Sequence, residues 1–223
     1  MRKRIKLADR LLPDYTSAEE IVNMVTHIVG GAFSILVLFL GLWRAYPQGV
    51  GAAVSMAIYG ISMMCVYCIS SIYHGMHPST GKKVLQVIDH CMIYALIAGT
   101  YTPILVLSFL PVYPVIGWGL LGLEWGLGIL AATLTAIDLK KYNLFSMICY
   151  VFMGWAIIFF LPQALEVLYP AGFGLLLAGG CVYTVGAVLY GIGSKRHWMH
   201  SVFHIFVVAG SVLQFLCIFL YVL

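Results

Sequence analysis

Seven histidines, at positions 27, 74, 77, 90, 197, 200 and 204, stand out in a chain of 223 residues that is 62% hydrophobic and 9% charged. Imidazole is both a metal ligand and a proton carrier near neutral pH, and an ionisable group inside a bilayer is costly enough to mark function. His200-Ser-Val-Phe-His204 places two imidazoles one turn apart on one helical face. Ser70 and His74 repeat that spacing with a hydroxyl and an imidazole, and Asp89 follows six residues after Lys83. Three imidazoles, from His74, His200 and His204, are the ligand set of an open catalytic zinc site whose fourth position takes a water. Such a water has a pKa near ~7 and becomes a nucleophile. Asp89 would accept its proton or orient it, or would instead be a fourth ligand that closes the site. No Glu lies between His200 and His204, so this is not a His-Glu-x-x-His protease helix, and a base must come from another span. The bland alternative is a pair of interfacial histidines bonded to water or carbonyls.

The elements that must position these residues follow from composition. A mean hydropathy of +1.00 lies far outside the soluble range, where about half the residues are apolar. Lipid offers backbone groups no partners, which leaves a helical bundle or a closed barrel. The apolar runs lack the alternation of barrel strands, so the fold class is all-α, a polytopic membrane bundle. At roughly 20 residues per crossing the sequence predicts seven spans, about 22–44, 50–73, 87–110, 113–136, 142–161, 170–192 and 197–222. Breaks are expected at Tyr46-Pro47-Gln48-Gly49, His77 to Gly81, Pro111, Asp138 to Lys141, Pro162 and Gly193-Ser194-Lys195, where turn formers or charges interrupt the runs. Residues 1–20 read as a short cytoplasmic arm rather than a signal peptide, and residues 21–223 as one transmembrane domain.

Basic residues set the orientation. Arg2, Lys3, Arg4, Lys6, Arg10, Lys82, Lys83, Lys140, Lys141, Lys195 and Arg196 fall on one side of this topology, and Arg44 alone on the other. The positive-inside rule puts the N-terminus in the cytoplasm and the C-terminus outside, which requires an odd number of spans. The net charge of +4 follows from this topology and requires no nucleic-acid partner. Helical rise puts His200 and His204 ~6–12 Å past Arg196, and Asp89 ~9 Å past Lys83. Three helices thus bring polar side chains to one shallow depth beneath the cytoplasmic surface.

Other polar residues read more plainly. Glu19 and Glu20 suit the positive end of a helix, and Asn23 and His27, one turn apart, either belong to that entry or support the metal ligands. His77, His90 and His197 fall at span boundaries. Cys65-x-x-Cys68 has a redox spacing but no second pair, so all six cysteines read as packing residues. Glu124, in the middle of the fourth span, is expected to be a protonated, hydrogen-bonded carboxyl facing the bundle, with a proton or substrate path as the alternative. Gly179, Gly180, Gly186 and Gly191 make the sixth span small-faced, as close helix packing requires.

In this order, Glu19/Glu20 with Asn23-x-x-x-His27, Ser70-x-x-x-His74, Asp89-His90-Cys91 and His200-x-x-x-His204 resemble the hemolysin III family, which belongs with the progestin and adipoQ receptors and more distantly with the alkaline ceramidases. Ala98-Gly99-Thr100-Tyr101-Thr102-Pro103 and Met153-Gly154-Trp155 resemble its bacterial members. The resemblance covers nearly the whole chain. It implies zinc on His74, His200 and His204, a water near Asp89 with Ser70 close by, a bacterial cell membrane location and, more loosely, hydrolysis of a lipid amide such as a ceramide. The long cytosolic N-terminal domain of the animal receptors is missing, so hormone reception does not carry over. Three function classes follow: a zinc hydrolase acting on a membrane lipid, a non-catalytic zinc sensor or homeostasis protein, and a lytic pore. A pore needs polar residues along the full membrane depth, and Glu124 alone is charged deep in the spans.

Overall fold

In a computed structural model, the structure describes Leu7 and residues 10–193 and 196–223, and these residues are helical almost throughout, with no strand among them. The helices are α1 (Ser17–Ala45), α2 (Val50–Gly75), α3 (Thr80–Ile104), α4 (Pro114–Ile137), α5 (Asn143–Trp155), α6 (Leu161–Gly193) and α7 (Met199–Cys217). They form six stretches long and apolar enough to cross a membrane, because α5, a 3-10 turn at Ala156–Phe160 and α6 run on as one stretch, Asn143–Ile192. The expected fifth and sixth spans both fall within it. Pro162 does not break it, since a proline in the first turn of α6 removes an N–H that has no helical partner anyway. The irregularity comes later, at Tyr169, where φ 57° and ψ 160° precede Pro170. The break expected at 193–195 lies at the edge of the described residues. Ser194 and Lys195 fall outside them, as do Arg2, Lys3, Arg4 and Lys6.

Local sequence explains the ends that matter. Thr16 caps α1: its hydroxyl accepts from the Glu19 amide at 3.2 Å, while the Glu19 carboxylate accepts from the Thr16 amide at 2.8 Å, a reciprocal capping box. Ser79 caps α3 by accepting from the Lys82 amide at 3.1 Å. Pro103 has no N–H and crowds the carbonyl four residues back, and α3 passes into a π-helical turn, Leu105–Phe109, just beyond it.

Side-chain contacts tie the helices at two opposite ends of α1. At its start, Glu19 accepts from the Trp198 amide and pairs with His197 Nδ1 at 3.0 Å, which brings in the start of α7. Arg10 donates to the Ile137 carbonyl at the end of α4 at 3.4 Å. At its far end, the Gln48 amide donates to the Leu223 carbonyl at 2.7 Å, and the Arg44 guanidinium lies 5.0 Å above the Phe219 ring. α1 and α7 therefore run parallel, and Ser17 and Leu223 sit at opposite ends of the bundle.

Candidate metal centre

The polar residues gather where α1 and α7 begin and α2 ends. Ser70 and His74 occupy the last turns of α2, and His200 and His204 the first turns of α7. On α1, Glu20, Asn23 and His27 are spaced three and four apart, so they form one helical stripe. The capping box fixes where α1 begins and hence the phase of that stripe.

One ligand nitrogen from each of His74, His200 and His204 lies within 4.8 Å of the other two, a group able to hold a metal ion. His74 Nε2 is 3.3 Å from His200 Nε2, and His204 Nε2 is 3.0 Å from His200 Nε2. The outward nitrogens explain why the inner ones converge. His74 Nδ1 donates to Glu20 Oε2 at 2.6 Å, and His204 Nδ1 donates to the Asn23 carbonyl at 3.3 Å. With the proton on Nδ1, a neutral imidazole presents its lone pair at Nε2. Two lone pairs thus face a third ring in a buried space, and a cation relieves that arrangement.

The surroundings hold the rings in place. Glu20 Oε1 accepts from Lys82 Nζ at 2.6 Å, and Lys82 also donates to the Met76 carbonyl at 2.8 Å. His27 stacks on His204, with ring centroids 3.7 Å apart and planes at 15°. Tyr15, in the arm before α1, stacks on His200 at 5.0 Å and 11°, and burial pushes its phenol pKa up, so it covers the site as a neutral ring. The side-chain polar atoms of Asn23 and His27, together with His200 Nδ1, are buried and without protein partners among the described residues, and the Ser70 hydroxyl faces the Asp89 carboxylate.

His74, His200 and His204 come together, whereas Asp89 stands outside their group. Asp89 and Ser70 both line a cavity that also reaches His27, His200 and His204. Its volume is about 200 Å³, and it runs inward between apolar side chains such as Val66, Ile93, Leu96, Val207 and Leu176. His77 is exposed, His90 is back-bonded to the Gln86 carbonyl at 2.8 Å, and His197 pairs with Glu19. Cys65 and Cys68 are free, the latter exposed. Glu124 is completely buried as expected, but its oxygens meet no hydrogen-bond partner among the described residues, so the expected hydrogen bond is not found. Sequence reasoning missed Glu20 as the partner of His74, and Tyr15 as the cover of His200. Thr16-x-x-Glu19 is a legible capping box, but neither tertiary contact has a sequence signal.

Comparison with known proteins follows the same residues. A family described as "Haemolysin-III related" matches residues 15–215. Hemolysin-3 of Bacillus cereus is 37% identical over 92% of this chain and 92% of its own length. The Hemolysin-3 homolog of Bacillus subtilis (strain 168) is 36% identical over 93% of this chain and 96% of its own. The human monocyte to macrophage differentiation factor is 24% identical over 92% of this chain and 85% of its own. A match over nine-tenths of the sequence, on a bundle of apolar helices with a histidine cluster at one end, places this chain in the haemolysin III family of integral, multi-pass membrane proteins.

Proposed function

We propose that this protein is a zinc-dependent hydrolase of a lipid amide, with its metal centre opening toward the cytoplasm of a bacterial cell and seven crossings of the plasma membrane. The observation that carries the reading is the convergence of three imidazoles at the mouth of an apolar cavity that also holds Asp89. The donor set fits zinc. Two ligands on one tetrahedral ion with bonds of ~2.1 Å stand ~3.4 Å apart, close to the 3.0 and 3.3 Å between the Nε2 atoms. Asp89 is not in the group, so three protein ligands leave a position for substrate or water, as catalytic zinc sites do.

The topology is supported by length and by contact. A helical stretch of 50 residues would be ~75 Å long at 1.5 Å per residue, more than twice the ~30 Å hydrocarbon core. Reversal near Tyr169-Pro170 makes it two crossings. Opposite placement of Ser17 and Leu223 calls for an odd number, and the basic residues favour a cytoplasmic N-terminus.

Zinc in this site supplies Lewis acidity toward a carbonyl and toward water. The chain supplies the rest. Glu20 and the Asn23 carbonyl fix the tautomers of His74 and His204. Asp89 takes a proton from the attacking water, and the Ser70 hydroxyl beside it holds the polar head of the substrate. The cavity takes the hydrocarbon chain and keeps bulk water out.

The test measures metal content and turnover of a panel of N-acyl lipids on one preparation of wild type and of Asp89→Asn. The expected result is zinc in both and turnover reduced ~10²–10⁴-fold in the variant. Wild-type protein with full zinc and no turnover on any lipid would remove the hydrolase and leave a zinc-holding sensor. Loss of zinc in Asp89→Asn would make Asp89 a ligand and the site closed.

A further inference from the structure

The cavity has a second polar station, deeper in the membrane than the metal centre, that the proposed hydrolysis does not use. Tyr67 donates to Ser211 Oγ at 2.6 Å, and Tyr183 meets the same oxygen at 2.7 Å. The Val207 carbonyl, 3.4 Å from the Tyr67 hydroxyl, is too far to compete for that proton. Ser211 already accepts from Tyr67 and can pass its own hydrogen to Tyr183, which frees the Tyr183 hydrogen for another acceptor. Tyr183 lines the cavity.

One turn along α7 from Ser211, Gln214 lines the cavity too and is 6% exposed. Its Nε2 donates to the Leu176 carbonyl at 3.1 Å, but its Oε1 is buried with no partner among the described residues. A buried amide oxygen left unpaired costs about 1–3 kcal/mol, so a ligand that satisfies it gains correspondingly. Glycines make room for both side chains: a Cβ at Gly179 would lie 2.7 Å from Gln214 Nε2, and one at Gly210 would lie 2.9 Å from the Tyr183 ring.

The depth of this station is fixed on two helices independently. Tyr67 precedes His74 by two turns on α2, and Ser211 follows His204 by two turns on α7. Two turns are ~10.5 Å. A donor that can turn toward the cavity and an unpaired acceptor, both lining one apolar wall, are the complement of one hydroxyl.

We propose that Tyr183 and Gln214 form a hydroxyl-reading subsite, which selects lipids carrying a hydroxyl near the middle of a long hydrocarbon chain, ~10–15 Å from the group held at the three histidines. The inference rests on the lipid reading above and specifies its substrate class.

Its test is binding, independent of turnover. Purified protein in lipid nanodiscs is titrated with octadecanoate and with an octadecanoate hydroxylated near mid-chain, in the wild type, Gln214→Leu and Tyr183→Phe. The wild type should prefer the hydroxylated acid by about tenfold, the size of one net hydrogen bond. Each variant should lose that preference while binding plain octadecanoate as the wild type does. Tyr183→Phe keeps the ring and its packing, and it decides the matter if Gln214→Leu does not fold. Equal affinity of the wild type for the two acids, or a preference that survives Tyr183→Phe, would overturn the subsite and leave the lipid reading standing. Failure of the wild type to bind either acid would overturn both.

Discussion

The Glu20 carboxylate and the His74 imidazole meet at 2.6 Å, although 54 residues separate them. Glu20 leaves α1 in its first turn, and His74 ends α2. The contact decides which nitrogen of His74 faces the other two histidines. Lys82, at 2.6 Å on the other oxygen, balances the charge of Glu20.

In the proposed metal centre, Glu20 and Lys82 would support the metal without touching it. Glu20→Gln should lower metal affinity by about 10–100-fold, the usual effect of losing a partner behind a ligating histidine. Lys82→Met should weaken it in the same direction, and the double variant should cost less than the product of the two, since both act through one carboxylate. Metal retention against a graded chelator measures this. Wild-type affinity in Glu20→Gln would show that His74 is oriented without it.

His204 and His197 lie seven residues apart but differ in role. His204→Ala removes one of three ligands and should leave the purified protein without stoichiometric metal. His197→Ala loses only its contact to Glu19 and should keep the metal. Chelation should lower the Tm of the wild type, because a ligand at 100 times its Kd adds about 2.7 kcal/mol to the folded state, and should leave the Tm of His204→Ala unmoved. Equal metal in the two variants would take His204 out of the ligand set.

Gly30 governs the packing of α1 on α2. A Cβ there would lie 2.5 Å from the Tyr67 ring, and that ring is fully buried and anchored through Ser211. It has nowhere to go. Gly30→Ala should therefore destabilise the protein by about 1–3 kcal/mol, as overpacking does, while Gly51→Ala, with open space around it, should not. Thermal unfolding in detergent compares them, and an unchanged Tm for Gly30→Ala would mean that Tyr67 can yield.

The proposed reversal near Tyr169 has a topological consequence. Two crossings between Asn143 and Ile192 put Lys141 and Arg196 in the same compartment, with Tyr169 opposite. Reporter fusions after Lys141 and after Arg196 should agree with each other and with a fusion after Pro78. Disagreement between the first two would make the stretch a single traverse and give an even number of crossings.

The sequence by itself determined the helical membrane fold, because apolar runs of span length have no other way to satisfy their backbone. It also singled out the three histidines that cluster, because His200 and His204 are one turn apart and His74 sits at the same depth beside the same set of flanking charges. These are local properties, carried by composition and helical period. The path through residues 143–192 was only partly legible. Pro162 reads as a break but is tolerated in a first turn, and the departure from helix falls at Tyr169. Tertiary structure decided the rest. The position of Asp89 outside the ligand group, the bond from Glu20 to His74, the ring of Tyr15 on His200 and the unpartnered oxygens of Gln214 and Glu124 depend on how helices rotate against one another. Rotation is set by packing at many points, such as the fit of Gly30 to Tyr67, and a helix's own period says nothing about which neighbour its polar stripe will meet.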